Sequence, residues 1–180
     1  MGRNCCITIE RQYGSGGREV ARILSERLGI PCYGRELLAV TAADNGISIE
    51  ELKKLDEKRT GSLLYDLVLY AFRFQNYNKM QEPFDINKEV SDTIRRLARK
   101  GPCIFIGRCA DFALDGECDV LKLFIYASSM EKRKRRICEV DDIAFEKAEE
   151  EIQKRDSQRS DYYHYFTGKT GGIWKIMMPV

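Results

Sequence analysis

Residues 6–10, CITIE, make a short apolar run that ends on a charge, and the polar, glycine-rich stretch RQYGSGG follows it. From Gly17 the apolar positions fall at Val20, Ala21, Leu24 and Leu28, which is the spacing of a helix with one buried stripe. Gly29-Ile30-Pro31 closes that helix, because glycine accepts a left-handed cap and proline does not continue the turn. The opening therefore reads strand, loop, helix. IPCY is a second short strand before Gly34. Helical spacing continues through RELLAVTAADNG and through SIEELKKLDEK, where Ser48 is the N-cap and Glu51 stands three residues on. SLLYDLVLYAFRF sets Leu63, Leu64, Leu67, Val68 and Ala71 on one stripe, and INKEVSDTIRRLARKG does the same with Val90, Ile94, Leu97 and Ala98 before Gly101. PCIFIG and VLKLFIY are apolar without alternation, the pattern of strands buried on both faces of a parallel sheet. SSMEKRKRRICEV and DIAFEKAEEEIQKRDSQRSDYYHYF are charged helices. Strands alternating with helices predict an α/β domain with a mostly parallel sheet, and residues from about 35 to 90 read as a helical insertion.

Composition narrows the function. At 180 residues and 43% hydrophobic, the chain is expected to form one domain with a full core. Thirty basic residues against 28 acidic ones leave a net charge of +2, which argues against a nucleic-acid-coating or membrane-coating surface while leaving room for a local basic cleft. No apolar run approaches the roughly 18 to 20 residues of a membrane span, and the N-terminus lacks a secretory apolar stretch. The seven cysteines are odd in number, contain no Cys-x-x-Cys pair and accompany a single histidine, His164, so no metal site is expected. Reduced thiols used as small hydrophobes point to a cytoplasmic protein.

In a glycine-rich strand–loop–helix, backbone N–H groups converge on an anion and the helix dipole favours negative charge there. Gly14, Ser15, Gly16 and Gly17 permit such a nest, and they equally permit a purely structural turn. The wider chain adds weight to the first use. ITIERQYGSGGREVARILSERLGIP resembles the opening of the cytidylate kinases, and more closely a cytidylate-kinase-like branch with a loop of the RQYGSGGRE type. CIFIGRCADFAL is similar to that family's nucleotide-contacting segment after the third strand, LKLFIYASSMEKRKRR to the strand and arginine-rich helix that follow, and RDSQRSDYYHYFTGK to its arginine-bearing lid.

The resemblance implies a P-loop NTPase-type three-layer α/β/α fold in a single domain. Its core would comprise residues 1–34 and 101–150, its helical acceptor-binding insertion about 35–90, and its lid about 151–170. It also implies a further strand after the lid, for which residues 173–178 are the candidate. The implied activity is ATP-dependent phosphoryl transfer to a small acceptor, most nearly a nucleoside monophosphate such as CMP or dCMP, with magnesium required. Set on the pattern G-x-x-x-x-G-K-[ST], however, the first glycine falls on Arg11, the lysine on Gly17 and the hydroxyl residue on Arg18. Arg18 or Arg11 is then the candidate for the missing positive charge, and Glu10 the candidate magnesium anchor. Gly168-Lys169-Thr170 imitates the end of such a loop, but Tyr163 stands at its first glycine and no strand precedes it.

Arg108 follows a buried strand, so it emerges at the carboxyl edge where open α/β sheets bind ligands; by resemblance it contacts the acceptor. The family's next residue is aspartate where this chain has Cys109, and Asp111 is near enough to substitute. Arg35 is a candidate acceptor-phosphate contact, and Tyr65, Tyr70, Phe72 and Phe74 either stack on a base or fill the core. Arg155 and Arg159 share one helix face and are the candidate lid arginines, with Asp156 orienting them; Arg133 and Arg136 make a similar pair on the preceding helix. Glu151 and Arg155 are also placed for ordinary helix-surface pairing. Two classes of function stay open: a kinase, and a nucleotide- or phosphate-binding sensor on a kinase scaffold without turnover. Retained lid arginines favour the first, Gly17 and Cys109 the second.

Overall fold

The computed structural model describes residues 5–44 and 83–169. The expected helices SIEELKKLDEK and SLLYDLVLYAFRF, with the aromatic quartet at 65, 70, 72 and 74, and the candidate strand at 173–178 lie outside them. Strand β1 (Cys5–Arg11) runs through the loop into helix α1 (Gly17–Leu28), and β2 (Cys32–Tyr33) leads to α2 (Glu36–Asp44). Then come α3 (Pro83–Lys100), β3 (Ile104–Ile106), the short α4 (Ala110–Ala113), β4 (Asp119–Ile125), α5 (Met130–Asp141) and α6 (Phe145–Thr167).

All pairings among the four strands are parallel, in the order β2-β3-β1-β4, with Ile7 beside Ile104 on one side and Leu121 on the other. Alternation along β1 divides the core. Ile7 and Ile9 meet Ala21 of α1 on one face, while Cys6 on the other joins Leu37, Leu38, Val90, Ile94 and Phe105. Helices lie on both faces of a parallel sheet, so the fold is three-layer α/β/α. Both ends of the 35–90 stretch, α2 and α3, belong to the layer packed on the sheet.

Two sequence expectations need correction. VLKLFIY was expected to be buried on both faces, but β4 is the end strand among the described residues and Leu121 is 50% exposed. Val120 still packs toward one face and Leu123 and Ile125 toward the other, but all three are only partly buried. The last helix was expected to begin at Asp142, but that residue adopts φ 54 and ends α5, so α6 starts three residues later.

The chain leaves β1 for α1 on one face and leaves β3 for α4 on the other. Between those carboxyl ends the strand order reverses, and the crevice there is where such sheets hold ligands. Glu10-Arg11 and Gly107-Arg108 meet at that point.

Candidate functional site

The loop between β1 and α1 is tied down at both ends. Gln12 N–H donates to the Ile125 carbonyl at 3.0 Å, and the Ser15 hydroxyl donates back to the Gln12 carbonyl at 2.8 Å. Gly14 and Gly16 take φ 76 and 84, and a Cβ on Gly14 would stand 2.8 Å from the Arg133 carbonyl oxygen, so only glycine lets α5 press this close. The first turn of α1 presents unpaired N–H groups, as every helix start does, toward a cleft lined by Gly16, Gly17, Arg18, Arg136 and Arg159.

Arginines from four elements surround this cradle. Arg11 ends β1 and is largely buried; burial and then the neighbouring Arg159 lower its pKa to about 9. Arg18 opens α1, pushed down by burial and then by Arg35. Arg159 reaches in from α6, donating from Nη1 to the Arg11 carbonyl at 3.0 Å; burial lowers its pKa and Asp156 opposes that. Arg136 of α5 pairs with Glu19 at the mouth. Arg155 bonds Glu151 at 2.5 Å and lies over the Tyr13 ring, 4.3 Å from its centroid. Its helix-surface pairing and its site-facing position therefore coexist.

Tyr13 and Asp156 lock α6 onto the loop. Asp156 accepts from Tyr13 N–H at 2.7 Å and from the buried Arg133, whose Nε donates to the Tyr13 carbonyl at 2.7 Å. The Tyr13 hydroxyl donates to Asp141 at 2.6 Å; burial and that bond raise its pKa. Arg133, expected as a partner of Arg136 on one face, instead points inward as the fastening between α5 and α6. Arg136 alone of that pair lines the cleft.

On the other side of Arg11 lies a second polar group. Gly107, Arg108 and Cys109 all take left-handed φ (70, 65 and 54), an uncommon run that turns the chain sharply from β3 into α4. Arg108 is partly buried beside the Tyr162 ring at 5.9 Å. Asp111, 2% exposed, accepts from the Tyr163 hydroxyl at 2.8 Å through Oδ2, while its Oδ1 has no hydrogen-bond partner among the described residues. Glu10 lies in this group, and burial raises its pKa to about 7 despite Arg11, with Asp111 adding to the rise. Burial, then Glu10 and Asp111, push the Cys109 thiol up, so it stays protonated. Arg35 is exposed just before α2 and acts electrostatically on Arg18, which places it near the cradle.

The chain as a whole has counterparts among known proteins. The pattern of the cytidylate kinase-like family matches residues 6–173, nearly the whole chain. The chain belongs to that family. A cytidylate kinase from Methanothrix thermoacetophila is 31% identical over 153 residues, covering 83% of this chain and 74% of that protein. The crystal structure of an uncharacterized protein from Eubacterium ventriosum, 23% identical, superposes with a TM-score of 0.67 over 95% of this chain and 83% of that one, and it shows the same fold. Membership brings nucleotide binding and kinase chemistry as the family's general character. Among the described residues, no helix is long and apolar enough to cross a membrane.

Within this cytidylate kinase-like frame, the structure brings together Arg11, Gly14, Gly16, Gly17, Arg18 and Arg159 around one cleft. Arg155 stands behind it on Tyr13, and Arg108 and Asp111 belong to the neighbouring crevice. Ser15 turns its hydroxyl into the backbone of its own turn. Lys169 lies over Phe112, 5.6 Å from the ring, and His164 contacts the Lys169 carbonyl. The residues present do not suit a protein-held magnesium ion. The hydroxyl position carries Arg18, Glu10 is buried against Arg11, and no group of three or more metal-ligating side chains occurs among the described residues. All seven cysteines are free thiols.

Tyr13, Asp141 and Tyr163 were not among the sequence candidates. Tyr163 carried a signal: it stands four residues after Arg159 and eight after Arg155, on the same helical face. Tyr13 carried only its place inside the loop, and Asp141 no signal at all.

Proposed function

We propose that the protein transfers the terminal phosphoryl group of ATP to a nucleoside monophosphate, with CMP and dCMP the leading acceptors, in the cytoplasm. The observation that carries this reading is the convergence of Arg11, Arg18 and Arg159, from three separate elements, on a glycine cradle at the carboxyl edge of the sheet. Phosphoryl transfer between nucleotides asks the protein for alignment, charge screening and exclusion of water rather than covalent chemistry. The loop N–H groups and Arg18 hold the donor phosphates. Arg159, steadied on the Arg11 carbonyl, faces the charge that spreads over the moving phosphoryl group, and Arg155 follows from the same helix face. Arg35 and Arg108 orient the acceptor, and Asp111 offers its unpaired Oδ1 to a hydrogen-bond donor on the base. The acceptor oxygen is already an anion, so the bond to it forms as the bond to ADP breaks, and no side chain has to remove a proton. Magnesium would arrive on the ATP phosphates, with water completing its shell.

A second reading, a sensor without turnover, is favoured by one observation. Asp156, Tyr13 and Arg133 fasten the arginine-bearing helix against the loop through bonds within the chain itself. Nucleoside-diphosphate formation from ATP and Mg²⁺, measured across a panel of monophosphates, separates the two. The kinase reading expects turnover on CMP or dCMP that collapses in Arg159→Ala. ATP binding with no product from any acceptor would overturn it in favour of the sensor.

A further inference from the structure

We propose that Arg11 supplies the cation that the loop lysine supplies in other phosphate-binding loops, and that Gly17 is glycine because Arg11 occupies its side-chain space. The proposal rests on the phosphate-binding reading of the loop and names how that site keeps its charge.

A Cβ built on Gly17 would lie 2.7 Å from Arg11 Cβ, 3.0 Å from Arg11 Cγ and 3.4 Å from Ile125 Cβ. Two of those three are the stem of Arg11, and real Cβ atoms do not come so near. A side chain at 17 and the stem at 11 are alternatives for one volume. Lysine at 17 therefore calls for glycine at 11, the arrangement of the standard motif, and arginine at 11 calls for glycine at 17. Further along, the guanidinium passes over Gly107, where a Cβ would overlap Nη1. Glycines thus clear the path of this one side chain at both its base and its tip.

The charge carried along that path is only partly met by the described residues around it. Among the described residues, Arg11 Nε is buried without a hydrogen-bond partner. Nη1 is 3.9 Å from Glu10 Oε2, too far for a hydrogen bond. A buried, incompletely paired cation is costly, and one that lines a cleft beside Arg18 and Arg159 has an evident partner in a bound phosphate. Arg18 also lines the cleft but is exposed, so it is less suited than the largely buried Arg11 to a fixed place beside the loop. The planar guanidinium would grip two phosphate oxygens at once, where an ammonium acts as a point charge.

Five chains decide it: the unaltered protein, Arg11→Gly, Gly17→Lys, Gly17→Ala, and the double variant Arg11→Gly with Gly17→Lys. Thermal unfolding reads the shared space, and calorimetric titration with ADP reads the charge. Gly17→Lys and Gly17→Ala are each expected to lower the melting temperature, and adding Arg11→Gly to the lysine variant to recover most of the loss. Arg11→Gly alone is expected to weaken ADP binding about ten- to a hundredfold, the size of a charge-assisted contact, with the double variant regaining most of it. If residue 17 accepts Ala or Lys without loss, or Arg11→Gly gives no rescue, the exchange of space is wrong. If Arg11→Gly binds ADP like the unaltered chain, the charge assignment is wrong. If the unaltered chain binds no ADP, the nucleotide reading and the charge assignment fail together, and the melting temperatures still judge the exchange of space.

Discussion

Glu10 shows how far the surroundings of one residue reach. Its carboxyl is raised from an ordinary 4.5 to about 7, mainly by burial. Between those values the folded chain keeps a proton that the unfolded chain releases. The contribution of Glu10 to stability is therefore full in acid and is lost as pH rises through this window, by about 3 kcal/mol in order of magnitude. Glu10→Gln, compared with the unaltered chain by chemical denaturation at pH 5 and pH 8, is expected to flatten that fall; parallel profiles would mean that Glu10 is solvated or well paired. Arg108 makes the opposite trade. Its left-handed φ of 65 stores strain that glycine would relieve, so Arg108→Gly is expected to raise stability by about 1 kcal/mol while weakening acceptor binding. A variant less stable than the original would show that the Arg108 side chain contributes more through its contacts than the backbone loses.

At the scale of elements, much of the fold was legible because hydrophobic spacing alone places it: α1, β3 and the cradle loop lie where the pattern puts them. Arg108 was legible in the same way, since a charged residue directly after a buried strand must emerge at the sheet edge. What spacing does not carry is neighbourhood. The apolar run of β4 reads alike in a central or an end strand, and the inward turn of Arg133 depends on α6 lying against α5. Tyr13 is the clearest case, because its partners Asp141, Arg155 and Asp156 are more than a hundred residues away. Its ring supports Arg155 at 4.3 Å and Arg159 at 5.6 Å, so it sets the angle at which α6 delivers both arginines. Tyr13→Phe loses only the bond to Asp141 and is expected to keep most of the turnover. Tyr13→Leu also loses the cation–π contacts, each about 0.5–2 kcal/mol, and is expected to lower kcat about tenfold with a smaller change in KM for ATP. Equal losses in Phe and Leu would place the effect in the hydroxyl and not the ring.

Over the whole molecule the charge is nearly balanced, at 30 basic against 28 acidic residues, yet the arginines that matter crowd one edge of the sheet. Their mutual repulsion is visible: Arg159 depresses Arg11, Arg35 depresses Arg18, and Arg18 depresses Arg159. The protein holds these groups together against that repulsion, with the sheet edge, the Tyr13–Asp156 fastening and Asp111–Tyr163 as its supports. A polyanion in the cleft would convert the repulsion into attraction and stabilise the native chain by mass action, by about 2.7 kcal/mol at a hundred times its dissociation constant. For a domain of this size that corresponds to a rise of roughly 5–10 °C in Tm. If the cradle is the phosphate site, inorganic triphosphate, which has no base or ribose, is expected to produce much of the shift given by ATP. The affinity should weaken markedly in 0.5 M salt, where exposed charges are screened within a few ångströms, but should not vanish, because Arg11 and Arg159 are shielded from solvent. Differential scanning fluorimetry with triphosphate, ATP and CMP at two salt concentrations makes the comparison. A shift with ATP and none with triphosphate would move the source of affinity from the arginine edge to the base, and with it the reading of the loop as the phosphate site.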